Sequence, residues 1–386
     1  MADPSIDEYT LTQLERVVSG AGAVDRLGAE LDRLGVARAC VVTGRTLGAS
    51  PLLGHLTRAL GDRCLSVFTD ARQHVPSTSV AALAQAFQTH RADGVVSFGG
   101  GSPIDTAKAA IHLWLGADAA SGSGGRDALP HVAVPTTLSA GEFTAVAGIT
   151  DERTHIKRAI SDPRLAPRVV VLDPTLTTET PAWLWAASGV RAVDHAVETL
   201  YSEHQHPMAE AQAQRALSML FAHLPPSLEE GPRVLPPVLE HRVQCQIAAW
   251  MSVVGIAHAG LGLSHALGHQ IGPRWGVPHG VTSSIILPHA MRAVAARAPG
   301  RFRSIAAALG VAFDDGNPAA SARACADRVA VFIAGLGLPA RLRDVRAPRA
   351  GIDDLARVVH DAIAGADRAG HAMTLAEIRA VLEAAY

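Results

Sequence analysis

Short apolar runs alternate with amphipathic segments in the first half of the chain, a pattern typical of strands joined by helices. Helices are predicted over residues 20–35 and from Ser77 to about His90. The predicted buried strands are Ala39–Thr43, Leu65–Thr69, Gly94–Phe98, Val132–Val134 and Val169–Leu172. Because strands and helices alternate, we predict an α/β domain with a doubly wound, mostly parallel sheet.

The pattern changes after Asp173-Pro174, where strand-like runs stop and helical periodicity takes over. The helices predicted there cover residues 181–203, 207–223, 235–270, 280–309, 318–336, 351–365 and 374–386. Thr374 and Glu377 have the spacing of a capping box at the start of the last helix. We therefore predict an α/β domain over residues 1–174 and an all-helical domain over residues 175–386.

Composition excludes several classes of protein. The 386 residues carry a net charge of −2, so no basic face indicates a nucleic acid partner. No apolar run is long enough to span a membrane, and the polar N-terminus lacks the apolar core of a signal peptide. The four cysteines are far apart, which indicates reduced thiols. These features predict a cytoplasmic protein that binds neither a membrane nor nucleic acid.

A glycine-rich loop directly follows the third predicted strand. It consists of Gly99, Gly100, Gly101 and Ser102. Glycines let backbone N–H groups approach a phosphate closely. Ser102 as the N-cap and Pro103 as the first helical residue predict a helix whose positive end faces the loop. Asp105 in that helix can accept a hydrogen bond from a ribose or an amide. The loop therefore predicts a cofactor phosphate site, although it is not the GxGxxG fingerprint and a tight strand-to-helix turn is the alternative.

Thr136 and Thr137 follow the next predicted strand at its carboxyl end. Ligands collect at this edge of open parallel sheets. Hydroxyl groups there can hold a phosphate or the nicotinamide ribose, and a plain threonine-rich turn is the alternative.

Three histidines, His265, His269 and His279, fall close together in the helical half. His265 and His269 are four residues apart, so they project from one face of a helix. Glycines and a proline over 272–276 are expected to break that helix, and Pro278 precedes the third imidazole at a loop or a new helix start. Such a group suits a divalent metal, or a metal ligand beside a proton donor. A histidine-rich core helix is the alternative.

Four segments of the sequence resemble the iron-containing (group III) alcohol dehydrogenase family. They are GGGSPIDTAKA at 99–109, VPTTLSAGEFT at 134–144, DHAVETLYS at 194–202 and GLSHALGHQIG with VPHGVTSSIILPH between 262 and 289. The resemblance implies the dehydroquinate synthase-like architecture, with an active site between a dinucleotide domain and a helical domain. It also implies NAD(P)-dependent interconversion of alcohols with aldehydes or ketones by a homodimer or larger homo-oligomer.

The same resemblance assigns roles to individual residues. It implies that Thr136, Thr137 and Lys157 contact the cofactor, with Lys157 at the nicotinamide ribose. It implies a metal, iron or zinc, held by three histidines, and a proton-shuttle or substrate-contact role for His269. The three implied metal ligands are His195, His265 and His279.

One position departs from the family pattern. The family's metal also has an aspartate ligand four residues before the first histidine, and this chain has Arg191 there. A guanidinium cannot bind a cation and repels it, so we expect weak or no metal binding. Asp194 lies about 100° round the helix from His195 and is a poor substitute. The departure resembles the maleylacetate reductase branch of the family.

Arg191 then has two candidate roles. It can polarise the substrate carbonyl in place of a metal, or it can bind a substrate carboxylate through paired N–H donors. A surface salt bridge to a neighbouring helix is the alternative.

Cofactor choice is predicted from the residues after the first strand. An acidic residue there accepts hydrogen bonds from the ribose 2′-hydroxyl and repels a 2′-phosphate. This chain has Gly44 followed by Arg45 at that place. Glycine leaves room for a phosphate and the arginine can pair with it, so NADPH is favoured with NADH tolerated. The alternative is that Arg45 only points to solvent.

Together these observations predict a carbonyl reductase that takes hydride from NAD(P)H and acts on a small substrate, one that can carry a carboxylate. Two alternatives belong to other classes. One is a lyase or cyclase of the dehydroquinate synthase type, and the other is a metal-free, non-catalytic binding protein.

Overall fold

The computed structural model describes residues 12–120, 128–153, 156–229, 236–260, 262–364 and 373–386. Its centre is a six-stranded sheet with the order β1-β8-β5-β4-β2-β3, in which every strand pair is parallel. The sheet strands are β1 (Arg16–Ser19), β2 (Ala39–Val42), β3 (Cys64–Phe68), β4 (Gly94–Gly99), β5 (His131–Pro135) and β8 (Val169–Leu172). A separate antiparallel hairpin consists of β6 (Val146–Asp151) and β7 (Ile156–Ser161).

The predicted sheet is confirmed, and the structure adds β1, which the short and partly polar segment at residues 16–19 did not reveal. β1 lies at one edge and pairs with β8 from Arg16 opposite Val169 to Ser19 opposite Leu172. The strands β2, β4 and β5 are buried on both sides, because helices cover both faces of the sheet.

Helices account for most of the remaining described residues. In the first half they are α1 (Leu27–Arg33), α2 (Arg45–Gly48), α3 (Pro51–Leu60), α4 (Ser77–His90) and α5 (Gly101–Ala120). After β8 they are α6 (Ala182–Tyr201), α7 (Pro207–His223), α8 (Pro236–Val253), α9 (Ile256–Ala259), α10 (Leu263–Trp275), α11 (His279–Arg297), α12 (Arg303–Leu309), α13 (Pro318–Gly335), α14 (Ile352–Ala364) and α15 (Leu375–Ala384).

Three predicted helices were too long. The helix expected over 235–270 is three helices, α8 to α10, because glycines interrupt it and Gly260 has a φ of 76°. The helix expected over 280–309 ends at Arg297, and Pro299 begins a short 3-10 turn before α12. At the N-terminus, residues 20–35 contain a 3-10 turn and then α1, not one continuous helix.

The expected helix break at Gly272 and Pro273 was also wrong. α10 continues through both residues and ends where Gly276 adopts a left-handed φ of 67°. Pro278 then precedes α11, and His279 is the first residue of that helix. Of the two arrangements expected for His279, a loop or a new helix start, the structure has the helix start.

A continuous hydrophobic cluster joins the helices to one end of the sheet. It includes Val170 and Leu172 of β8, Leu138 and Phe143 of the segment after β5, and Val190 of α6. The domain boundary expected near residue 174 stays a prediction. No helix within the described ranges is both long and apolar enough to cross a membrane.

Candidate functional site

The glycine loop and the threonine pair lie against each other at the carboxyl edge of the sheet. The Thr136 N–H donates to the Gly99 carbonyl at 2.9 Å. A Cβ added at Gly100 would lie 3.0 Å from the Thr137 Cγ2, and one added at Gly101 would lie 3.4 Å from the Ser139 Oγ. Larger residues at Gly100 and Gly101 would therefore press against the threonine loop, so this close approach depends on glycine.

The helix after this loop begins earlier than predicted. α5 starts at Gly101, so Ser102 lies in its first turn and is not the N-cap. Asp105 lies beside Gly141, where an added Cβ would be 3.6 Å from its Oδ1. The glycine loop is thus continuous with the first turn of α5, whose amide groups favour an anion.

Lys108 lies one turn further along α5 and is fully buried. Its Nζ donates to the Gly141 carbonyl, the Thr144 Oγ1 at 3.1 Å and the Val146 carbonyl at 3.0 Å. Burial lowers the pKa of Lys108. These bonds tie the segment after the threonine pair to α5.

A buried carboxyl group that sequence reasoning missed lies in the same segment. The Glu142 Oε2 is buried and has no hydrogen-bond partner in the part of the chain that the structure describes. Burial raises the pKa of Glu142 to about 7, although Lys108 acts in the opposite direction. The hairpin that follows carries Lys157, which pairs with Thr150 through the backbone. The Lys157 side chain lies outside the described residues, so its expected contact with the nicotinamide ribose stays a prediction.

Gly44 and Arg45 lie at the carboxyl end of β2, next to the glycine loop that follows β4. A Cβ added at Gly44 would lie 3.3 Å from the Ala71 carbonyl oxygen. The Arg45 side chain is 81% exposed and contacts Asp70 at 2.8 Å. Arg72 contacts the other oxygen of Asp70 at 3.3 Å. Arg45 was predicted from the sequence as a residue near the cofactor, whereas Asp70 and Arg72 were not. Both follow the end of β3, and this position after a strand is the signal that could have indicated them.

The four histidines of the helical half lie together as two stacked pairs. The His195 and His265 ring centroids are 4.9 Å apart, and those of His269 and His279 are 5.0 Å apart. His269 meets His265 edge to face at 6.3 Å. His265 is fully buried and His269 is exposed on the same helix. The structure thus brings together every histidine named from the sequence.

Arg191 faces this group from α6, so the expected alternative of a surface salt bridge is wrong. Its side chain is only 9% exposed, and its Nη1 lies 3.9 Å from the Asp194 Oδ2. The one hydrogen bond it makes to a described residue is a long one, 3.4 Å, to the Ser283 Oγ. Burial lowers the pKa of Arg191 to about 10, which leaves the group charged at neutral pH. Among the described residues, most of the five N–H donors of this buried guanidinium have no acceptor.

Asp194 does not neutralise Arg191 by close contact, because its Oδ2 accepts hydrogen bonds from the Ser264 Oγ at 2.9 Å and the Ser283 Oγ at 2.6 Å. Burial alone would raise the pKa of Asp194, but His265, Arg191 and Ser283 outweigh it and lower the pKa. Burial also lowers the pKa of His195 well below its usual value, and the neighbouring charges add to this effect. His195 is therefore a neutral imidazole.

The threonine loop connects the carboxyl edge of the sheet to this group. The Leu138 N–H donates to the Ser188 Oγ on α6 at 3.0 Å, one turn before Arg191. On α11, Gly280 allows close approach to α6, since an added Cβ would lie 2.4 Å from the Ala187 carbonyl oxygen. The two predicted halves of the site, cofactor and histidines, therefore meet along α6.

At the expected metal position, the Nδ1 of His195 and both ring nitrogens of His265 are buried without a hydrogen-bond partner among the described residues. Among the described residues, one set of three potential ligands has its atoms within 4.8 Å of one another, and it is Asp194, Glu198 and His265. The Asp194 Oδ2 accepts hydrogen bonds from two serine hydroxyls, and the Glu198 carboxylate accepts them from backbone N–H groups, whereas the Asp194 Oδ1 has no hydrogen-bond partner among the described residues. Arg191 adds a fixed positive charge beside them.

Comparison with known proteins covers nearly the whole chain. Residues 15–174 match the family described as iron-containing alcohol dehydrogenase, and residues 185–386 match the C-terminal part described as Fe-containing alcohol dehydrogenase family. Maleylacetate reductase 1 of Cupriavidus pinatubonensis is 32% identical over 285 residues, which is 74% of each chain. The NAD-dependent methanol dehydrogenase of Bacillus methanolicus is 30% identical and covers 88% of this chain and 90% of its own length.

A solved structure gives the same result for the fold. The maleylacetate reductase from Rhizobium sp. strain MTP-10005 superimposes with a TM-score of 0.80 at 26% sequence identity. The superposition covers 98% of this chain and 97% of that one.

Proposed function

The chain belongs to the iron-containing alcohol dehydrogenase family and is an NAD(P)-dependent oxidoreductase, and from that premise we propose that it reduces the carbonyl group of a small, carboxylated substrate. The observation that carries the proposal is the buried Arg191, whose guanidinium lies among the histidines with one long hydrogen bond. A buried cation with unused, paired donors suits a carboxylate. The maleylacetate reductases among the relatives support the same class of substrate.

We assign the steps of this reaction to individual residues of the chain. NAD(P)H, when bound, supplies a hydride to the carbonyl carbon. We assign to His269 the delivery of a proton to the carbonyl oxygen, because it is the exposed histidine of the group and lies one turn from His265. Arg191 holds the carboxylate and thereby fixes the carbonyl in front of the cofactor. Gly99, Gly100, Gly101 and the threonine pair hold the cofactor phosphates and ribose.

The experiment compares carbonyl substrates with and without a carboxylate in an NAD(P)H oxidation assay. In Arg191→Gln, kcat/KM for the carboxylated substrate should fall by about 30-fold to 1,000-fold, since a buried charge pair contributes about 2–4 kcal/mol. The loss for an uncharged aldehyde should be much smaller. Arg274→Gln is the matched control, because Arg274 lies on α10 but pairs at the surface with Asp354.

Equal losses on both kinds of substrate would reject the carboxylate role of Arg191. Turnover without net consumption of the cofactor would point to the lyase class, and inertness across the panel to a binding protein. The dehydrogenases and reductases among the relatives favour neither of these alternatives.

We also propose that this chain binds iron or zinc weakly, although the family implies a metal. The proposal is supported by Arg191 at the ligand position and by the paired stacking of the histidines. Elemental analysis of protein purified without a chelator should find well under one metal ion per chain. Arg191→Asp should raise the affinity, whereas one tightly held metal in the wild type would overturn the proposal.

We propose that this enzyme prefers NADPH as its cofactor and also accepts NADH. Arg45 and Arg72 both flank Asp70 at the end of the sheet where the adenosine ribose of a dinucleotide is expected. The guanidinium groups of Arg45 and Arg72 can both form ion pairs with a 2′-phosphate. The phosphate would compete with Asp70 for these two groups.

A further inference from the structure

Lys108 attaches the threonine loop, residues 136–141, to the helix that follows the glycine loop. Its side chain comes from α5 and is fully buried. The Nζ donates to the carbonyl oxygen of Gly141, to the Thr144 Oγ1 at 3.1 Å and to the carbonyl oxygen of Val146 at 3.0 Å. These three acceptors match the three N–H donors of an ammonium group. The last residue of the threonine loop and the start of the β6–β7 hairpin are therefore held by one side chain.

The loop that Lys108 holds contains a strained residue. Ala140 is fully buried, and its φ of 59° and ψ of 10° lie in the left-handed region. A Cβ makes this conformation costly, so a residue such as alanine adopts it only where the surrounding structure holds it there. Gly141 follows directly, and its carbonyl oxygen accepts from the Thr144 N–H at 3.2 Å as well as from Lys108. The hydrogen bonds to this carbonyl thus oppose relaxation of Ala140.

The other parts of the same loop contact the glycine loop and α6. A Cβ added at Gly100 would lie 3.0 Å from the Thr137 Cγ2, which places the two loops in direct contact. The Leu138 N–H donates to the Ser188 Oγ, three residues before Arg191 on α6. A loop released by Lys108 would therefore move relative to both the glycine loop and Arg191.

We propose that Lys108 is a positioning residue for the nicotinamide half of the cofactor: it holds the strained threonine loop in the conformation that binds the nicotinamide ribose beside Arg191. The inference rests on the proposed function, which assigns this ribose to the threonine pair. The adenosine half is expected at Gly44 and Arg45 after β2, and the described hydrogen bonds of Lys108 reach neither residue. Loss of Lys108 should therefore affect the two halves of the cofactor unequally.

Lys108→Met tests the proposal, because methionine fills a similar volume without an N–H donor. We expect the Kd for NAD(P)H, measured by fluorescence, to rise about tenfold or more, and the Kd for adenosine diphosphate (ADP), measured by calorimetry, to change by less than about threefold. At saturating cofactor, kcat should fall about 10-fold to 100-fold, since a displacement of about 1 Å can cost 100-fold. Equal losses of affinity for NAD(P)H and ADP, or no loss for either, would overturn the proposal.

Arg242→Met is the matched control, because Arg242 is another buried cation with three hydrogen bonds. It lies on α8 and donates to the Thr177 carbonyl oxygen at 2.6 Å, the Thr177 Oγ1 at 3.0 Å and the Ser227 carbonyl oxygen at 3.2 Å. These acceptors lie outside the threonine loop. We expect lower stability in urea but a Kd for NAD(P)H within about threefold of the wild type. A rise as large as that in Lys108→Met would reject a specific role for Lys108.

Ala140→Gly provides a second readout, because glycine adopts a φ of 59° without the steric cost. In the wild-type background it should change the Kd for NAD(P)H by less than about twofold. In the Lys108→Met background it should restore at least about threefold of the lost affinity, because the loop no longer has to be held against strain. Absence of this rescue would overturn the proposal.

Thr144→Val covers the case in which Lys108→Met does not fold. It keeps the lysine and removes one of its three acceptors, so the Kd for NAD(P)H should rise about threefold while that for ADP stays the same. An unchanged Kd for NAD(P)H in this variant would reject the proposal. All of these binding measurements are made without a carbonyl substrate. Selective loss of NAD(P)H affinity in an enzyme that turns over no carbonyl compound would leave the role of Lys108 intact and reject the proposed function.

Discussion

Substitution of Gly280 by alanine should damage the site through the contact between two helices. Gly280 is the second residue of α11, and its added Cβ would lie 2.4 Å from the Ala187 carbonyl oxygen and 3.0 Å from the Ser188 nitrogen. Ordinary contacts begin at 3.4 Å, and both atoms belong to the backbone of α6. The start of α11 must therefore move away from α6 by about 1 Å.

That movement would act directly on the site. His279 precedes Gly280, and Ser283, one turn later, bridges Asp194 at 2.6 Å and Arg191 at 3.4 Å. A displacement of about 1 Å can cost about 100-fold in rate, and overpacking typically lowers the free energy of unfolding by about 1–3 kcal/mol. We expect both effects in Gly280→Ala.

Urea denaturation followed by circular dichroism measures the stability, and NAD(P)H oxidation measures kcat/KM. Gly116→Ala is the control, because Gly116 is exposed on α5 with nothing within 4 Å of an added Cβ. It should keep full activity and gain up to about 1 kcal/mol from helix propensity. If Gly280→Ala matches the wild type in both measurements, the described contact between α6 and α11 is wrong.

Three further outcomes are expected. His269→Ala should lose about 100-fold to 10,000-fold in kcat while its Kd for NAD(P)H, measured by fluorescence, stays unchanged; unchanged turnover would refute its role in proton transfer. Arg45→Ala and Arg72→Ala should each lower kcat/KM with NADPH by about tenfold, or about 1.4 kcal/mol, and hardly change it with NADH; a tenfold preference of the wild type for NADH would contradict the proposed preference. Burial raises the pKa of Glu142 from 4.5 to about 7, so its contribution to stability is fully present below pH 4.5 and is lost as the pH rises through 7. Relative to Glu142→Gln, the wild type should lose up to about 3 kcal/mol of unfolding free energy across this range, and parallel pH profiles of the two proteins would exclude the shift.

The sequence predicts the features that depend on local patterns. Buried strands are short apolar runs, and the glycine loop, the threonine pair and the histidines are compact motifs at fixed spacings. The structure confirms the predicted sheet and brings these motifs together at its carboxyl edge and along α6. The roles assigned to the individual side chains are still predictions.

The residues that the sequence did not reveal act over long separations in the chain. Glu198 looks like any carboxylate in a helix, but its hydrogen-bond partner Gly262 is 64 residues away. The burial of Arg191 was not predicted, and a surface salt bridge was the alternative, because helical periodicity does not show which neighbouring element covers a given face of a helix. The interruptions of the helix predicted over 235–270 were missed, because the glycines that cause them lie within an otherwise helical hydrophobic pattern.

The pairing of β1 with β8 has a consequence for the synthesis of the protein. Among the described strands, β1 pairs with β8 alone, and the Val24 N–H just after β1 donates to Asp173, 149 residues further along the chain. A ribosome that adds about 5–20 residues per second needs on the order of ten to thirty seconds to make the intervening chain. During that time β1 is without the strand with which it pairs in the described sheet, and its backbone groups are open to chaperones and to other nascent chains. The speed of translation through residues 20–172 therefore sets how long this N-terminal segment is exposed in the cell.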